Sequence, residues 1–152
     1  LIPGDFESSH EIAANSYDLI AAFDVFEHLD AATLMAKLQA INTMLRPGGW
    51  LILRFPNGQS PFGLGPQNGD ATHIQALSRA KMEQYANGTS LQTIAYGGVA
   101  RPQTGPFLKR IVRVLRHTLR DLHGHIIRFL YATDVELEPV AVQILAKIEQ
   151  DR

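Results

Sequence analysis

The chain has 152 residues, 45% of them hydrophobic and 19% charged, enough for one folded domain with its own core and too few for two. Its formal net charge of −1 gives no general attraction to nucleic acid, and no apolar stretch approaches the roughly 20 residues that span a bilayer. It contains no cysteine, which excludes disulfides, thiolate metal sites and a cysteine nucleophile.

In chain order, Leu1-Ile2-Pro3-Gly4-Asp5 reads as the end of a strand running into a turn, so the chain is expected to be part of a longer domain. Asp18 to Phe23 is a short, nearly continuous apolar run, the pattern of a strand covered on both faces. Asp30 is placed to cap a helix whose apolar residues Leu34, Met35, Leu38, Ile41 and Leu45 fall at helical spacing. Arg46-Pro47-Gly48-Gly49 ends it with turn residues, and Trp50 to Phe55 is a second apolar run. Strand, helix, strand predicts a βαβ unit with parallel strands and a right-handed crossover.

Residues 56–72 turn loop-like, rich in glycine and proline, and a loop this long in a compact domain is expected to be functional or flexible. His73 to Ala86 predicts a helix stopped by Asn87-Gly88, and Leu91 to Tyr96 has β character. Phe107 to Tyr131 is the clearest amphipathic stretch. Leu108, Ile111, Leu115, Leu119, Leu122, Ile126 and Leu130 form its apolar stripe, and Lys109, Arg110, Arg113, Arg116, Arg120 and Arg128 lie mostly off it. Gly124 is expected to break or bend it. The stretch reads first as a helix packed on the sheet with its arginine heads reaching water; an interfacial membrane helix or a surface for an anionic substrate are the alternatives. Pro139 to Ile148, with Val140, Val142 and Ile144 alternating, predicts a last strand.

Parallel α/β sheets bind ligands at the carboxyl ends of their strands, and Asp24, Glu27 and His28 cluster at such an end. The plainer reading is that the two acids solvate a loop and cap the following helix. The three could also form a small oxygen-and-nitrogen metal site, since one turn brings positions i, i+3 and i+4 together; helix-cap charges make the same pattern, and no metal is assigned. Gly4-Asp5-Phe6 is a second candidate, because a carboxylate and the next backbone N–H suit the edge of adenine; a turn in which Asp5 bonds its own backbone is the simpler account. Gly63-Leu64-Gly65 fails as a dinucleotide-binding loop, because the preceding strand ends several residues earlier and Gly69 follows at the wrong spacing. The scattered histidines His10, His28 and His73 do not have zinc-site spacing.

Together these segments resemble the C-terminal two-thirds of a class I S-adenosylmethionine-dependent methyltransferase, in the bacterial group carrying D-V-x-E-H-L and then L-x-P-G-G-x-L. Those motifs stand here as Asp24-Val25-Phe26-Glu27-His28-Leu29 and Leu45-Arg46-Pro47-Gly48-Gly49-Trp50-Leu51, followed by Phe55-Pro56-Asn57 and the D-A-T-H-I of Asp70 to Ile74. The resemblance covers residues 4 to 100 well and the rest loosely. It implies a Rossmann-like α/β sheet truncated at its N-terminus, with a final antiparallel strand, in one partial domain over residues 1–152 that carries residues 107–131 as a basic helical insertion. It also implies that Asp5 and Phe6 edge the adenine, that Phe23, Asp24 and Val25 line the floor under the methionine half of S-adenosylmethionine, and that His28 sits beside the methyl-transfer crevice. His73 and the 56–72 loop before it, on the acceptor side, would help close the acceptor pocket, with His28 and His73 the candidate catalytic residues.

The family's glycine-rich loop and ribose-binding acid have no counterpart here, so the chain alone is expected to be inactive and to bind cofactor weakly. Its first strand would be an open edge, which favours pairing with a second copy. The acceptor is expected to be a small molecule, a saccharide or a lipid-linked intermediate, in the cytoplasm, with no nucleic acid involved; peripheral membrane contact through 107–131 is open. A subset of the family resembling ubiquinone-pathway O-methyltransferases has an acidic-x-x-Glu-His metal pattern that Asp24, Glu27 and His28 mimic. The alternative reading is a non-catalytic methyltransferase-like binding module. An NAD-binding fold is disfavoured, since Glu27-His28 would have no role in it.

Overall fold

The computed structural model describes residues 14–101 and 104–148; all statements below concern these residues. Strand β1 (Tyr17–Phe23) leads through a 3-10 turn (Phe26–His28) into α1 (Ala31–Met44), and β2 (Leu45–Pro56) follows directly. Then come α2 (Leu64–Asn68), α3 (Arg79–Ala86), β3 (Leu91–Gly98), α4 (Phe107–Tyr131) and β4 (Val140–Lys147). The strands form one mixed sheet in the order β1-β2-β4-β3. β1 and β2 are parallel, as the βαβ reading requires, and β4 inserts antiparallel between β2 and β3. This is an α/β Rossmann-like sheet with an antiparallel final strand.

The cap on α1 is made as expected: one Asp30 carboxylate oxygen accepts from the Ala32 and Thr33 backbone N–H groups, both at 3.0 Å. Leu34, Leu38 and Ile41 then bury against the sheet, joining Leu51, Leu53, Phe55, Leu77, Met82 and Leu145 in one core. Met35, on the same predicted stripe, stays exposed. Residues Arg46 to Gly49 do not end the helix in a free turn but belong to β2. They bulge out, since Tyr17 pairs with Leu45 while Leu19 already pairs with Trp50. Only glycine fits at position 49, where a Cβ would lie 2.9 to 3.2 Å from the carbonyl oxygens of Arg46, Tyr17 and Asp18.

Three expectations need correction. β1 is not covered on both faces: Leu19 and Phe23 are each about half exposed, because β1 has a neighbour on one side only and no helix seals both its faces. The helix expected from His73 starts only at Arg79, where Ser78 caps it by accepting from the Lys81 N–H. The five residues before Ser78 are held in irregular form, because Ile74 and Gln75 donate their backbone N–H groups to the Glu27 carbonyl (2.9 and 3.1 Å) and Gly58 donates to Leu77 (2.7 Å). Finally, α4 runs unbroken through Gly124, the buried residue of that helix. A lone glycine lowers helix propensity by roughly 1 kcal/mol but removes no hydrogen bond.

Nor does α4 pack its apolar stripe on the sheet. Its polar side faces the body of the protein: Arg101 pairs with Asp121 and Glu138, and Arg120 also pairs with Glu138. The 56–72 loop lies nearby and is tied down at its start. Asn57 donates to the carbonyls of Glu136 and Glu138, and Ser60 to that of Leu137.

Candidate active site at the carboxyl end of the first strand

The parallel pairing of β1 with β2 continues for one residue past the strand, as the Asp24 N–H donates to the Arg54 carbonyl at 2.9 Å. Asp24 then turns into left-handed backbone with φ +54°, which reverses the chain into the 3-10 turn at a cost of about 1 kcal/mol or more of strain. Its carboxylate is taken by the Arg54 guanidinium, with Nε 3.1 Å from one oxygen and a second nitrogen against the other. The same guanidinium lies 5.3 Å from the centre of the Phe23 ring. Phe23 and Val25 flank Asp24 and remain exposed. They form an uncovered apolar ledge beside a charged group. Asp5 and Phe6 lie outside the described residues.

The next turn drives Phe26 into the core and carries Glu27 with it, fully buried. Neither Glu27 carboxylate oxygen has a hydrogen-bond partner. Burial pushes this carboxyl above the ordinary value of 4.5, and the negative charge of Asp24 adds to the rise, against opposing contributions from its own backbone N–H and the two nearby histidines. An unpartnered buried acid costs stability, and such a group is retained where it has work to do.

His28 and His73, 45 positions apart in the chain, meet here with ring centres 4.7 Å apart. His28 Nδ1 lies 3.1 Å from the Thr72 carbonyl and 2.9 Å from the Thr72 hydroxyl, which itself donates to Asp70 at 2.6 Å. His73 Nδ1 lies 3.0 Å from the Gln67 carbonyl. A carbonyl oxygen only accepts, so in both rings Nδ1 carries the hydrogen and the neutral ring leaves its Nε2 lone pair free. His73 Nε2 stands 4.0 Å from a Glu27 oxygen and 3.9 Å from one of Asp70. Asp70 is held well below the usual carboxylate range, chiefly by the Thr72 hydroxyl and backbone N–H.

One ligand atom from each of Glu27, His28 and His73 lies within 4.8 Å of the other two, a spacing that a divalent cation could bridge. The trio weighed from sequence, Asp24 with Glu27 and His28, is not the one assembled, because Asp24 turns to Arg54. Two imidazole nitrogens beside a carboxyl whose pKa burial raises can also take and return a proton.

Sequence reasoning placed both histidines around one crevice but did not show their rings in contact, and it left Glu27 open between a loop or capping acid and a ligand of a metal set with Asp24. The signal available was the D-A-T-H turn, where Asp70 folds back on the Thr72 N–H at 2.8 Å and so aims His73. Gln75 was missed: it donates to the Leu29 carbonyl at 2.6 Å and accepts from the Tyr85 hydroxyl at 2.5 Å, clamping the crossing segment to the turn. A cavity of about 710 Å³ among the described residues lies elsewhere, under α4 between Phe62, Arg101, His123 and Leu137, and shares no lining residue with this cluster.

A mixed sheet with its last strand inserted antiparallel, and a polar cluster at the carboxyl end of the first parallel strand, define a Rossmann-like α/β protein. A family of methyltransferase domains matches residues 4–96, and the chain belongs to that family. Among solved structures it is similar to a SAM-dependent methyltransferase from Archaeoglobus fulgidus, at 14% identity and a TM-score of 0.60 over 90% of this chain and 62% of that one. The complex of the Haloferax volcanii Trm112 methyltransferase activator with a methyltransferase matches at 13% identity and 0.57, over 98% and 61%. The [4+2]-cyclase SpnF matches at 13% and 0.53, over 95% and 54%. The chain therefore spans about three fifths of the length of these structures or less, and at such identities the likeness is one of fold. No curated protein matches it.

Proposed function

We propose that this chain is the acceptor-side part of a longer S-adenosylmethionine-dependent methyltransferase, inactive by itself, acting on a small-molecule, saccharide or lipid-linked acceptor in the cytoplasm, with no role for nucleic acid. The observation that carries this reading is the convergence of Glu27, His28 and His73 beside Asp24 in a chain of the methyltransferase-domain family. Bound S-adenosylmethionine would supply a methyl group already activated by its sulfonium, leaving S-adenosylhomocysteine as product. What remains for the protein is to align the acceptor and to receive its proton.

Phe23 and Val25 offer the methionine half an apolar floor with Asp24 between them, and Asp5 and Phe6 are assigned to the adenine. His73 Nε2 takes the proton of an acceptor hydroxyl or amine, and the resulting imidazolium is stabilised by the Asp70 carboxylate 3.9 Å away. His28, oriented by the Asp70–Thr72 pair, positions the acceptor against it. The 56–72 loop closes the acceptor side. β1, with one neighbour in the sheet, presents an edge along which a second copy of the domain could pair.

The test is calorimetric titration of S-adenosylhomocysteine into this chain and into a longer chain that completes the domain. Binding by the longer protein alone supports the reading. In that protein His73→Ala should lower turnover by about 10²-fold or more with cofactor affinity unchanged. No binding by either would favour a second reading, a methyltransferase-like module with another task. The match to a structure described as a cyclase is the observation that keeps that second reading in play.

A further inference from the structure

α4 is amphipathic the wrong way round for a helix belonging to a water-surrounded body. Its inward line consists of Arg113, which donates to the Thr104 carbonyl at 2.7 Å, Arg120 and Asp121 in their ion pairs, and Gly124 against Leu137. The opposite line, Leu108, Ile111, Leu115, Leu119, Leu122 and Ile126, recurs every three or four residues and points away from the protein, each side chain 47% to 72% exposed. Aromatic residues stand exposed at both ends, Phe107 at one and Phe129 and Tyr131 at the other. At 25 residues the helix is roughly 38 Å long, so the apolar strip far exceeds what scattered surface leucines amount to.

What covers this strip is indicated by charge. The helix carries six cations and one acid, Asp121, which is already paired with Arg101. Arg110 and Arg128 lie on the inward side of the helix, beside Arg101 and Gly124. Lys109 and Arg116 border the strip on one side, and neither has a carboxylate within ion-pair distance among the described residues. A second copy docking through the same strip by two-fold symmetry would set these cations against their own equivalents. A negatively charged lipid surface would neutralise them while taking up the apolar strip and the end aromatics. The helix is not long and apolar enough to cross a membrane, so it would lie flat.

We infer that α4 is an interfacial helix that docks the protein, apolar face down, on an anionic bilayer. This rests on α4 alone and not on the methyl-transfer reading. The experiment is co-sedimentation of the chain with vesicles of phosphatidylcholine alone and of phosphatidylcholine with phosphatidylglycerol. The expected result is binding to the anionic vesicles, at least tenfold weaker on the neutral ones, and reduced by 1 M salt. Leu115→Asp with Leu119→Asp should abolish binding while leaving the circular dichroism unchanged, because both side chains already face water. Lys109→Glu with Arg116→Glu should weaken it about tenfold with the apolar strip intact. Equal binding to both vesicle types, or none to either, overturns the inference. So does a concentration-dependent dimer that the leucine variant breaks and vesicles do not compete with.

Discussion

α1 and α4 are both amphipathic, and they face opposite ways. α1 turns Leu34, Leu38 and Ile41 onto the sheet and leaves its polar side to water. α4 turns arginines and Asp121 toward the protein and its leucines outward. The difference lies in what each helix meets. α1 is the crossover of a βαβ unit, so its position over the sheet is forced and an apolar floor awaits it. α4 joins two neighbouring antiparallel strands that need no crossover, and the surface beneath it presents Arg101 and Glu138. An apolar stripe says that a helix has a partner; it does not say that the partner is its own sheet.

The sharpest way to break this comparison is one truncation in each helix. Leu38→Ala should destabilise the protein by about 2–5 kcal/mol, since the side chain is fully buried and leaves a cavity. Leu119→Ala should change stability in water by no more than about 0.5 kcal/mol. Urea unfolding of both variants decides it, and equal losses would show that α4 is packed after all.

A second variant probes the buried acid just upstream of α1. The Glu27 carboxyl is raised above 4.5 mainly by burial, so the folded state holds its proton more tightly than the unfolded state does. Any stability linked to this group is present below its unfolded value and lost as pH rises through the folded one. Glu27→Gln should therefore match the wild type in acid and become progressively more stable than it toward neutral pH, read as the difference in melting temperature across a pH series. A constant offset would mean that Glu27 has a partner in solution.

The smallest effect sharpens the account of α4. A Cβ at Gly124 would sit 3.6 Å from Leu137, ordinary contact, so Gly124→Ala should stabilise by about 0.5–1 kcal/mol through helix propensity. Loss of stability in thermal melts would mean that α4 approaches the body more closely than this.

Much of the fold was legible because its signals are local. Asp30 ahead of a helical apolar stripe marked α1, and two apolar runs around it marked β1 and β2 with their parallel sense. The alternation of Val140, Val142 and Ile144 marked β4. What failed was whatever depended on distant backbone. The stretch from His73 to Leu77 has residues a helix would accept, but the Glu27 and Gly58 peptide groups claim its hydrogen bonds. Arg46 to Gly49 has turn residues, yet its partner β1 draws it into the sheet as a bulge.

The same division holds at the site. The sequence by itself determined the ordered motifs, and with them the family, the strand-end position of Asp24 and the candidacy of His28 and His73. Only the tertiary structure decided that Asp24 belongs to Arg54, that Glu27 is buried without a partner, that the two imidazoles meet, and that α4 shows its leucines to the outside. Local spacing records which side of an element is apolar or charged. Which surface that side faces is set by contacts between residues far apart in the chain, and those exist only once the sheet has assembled.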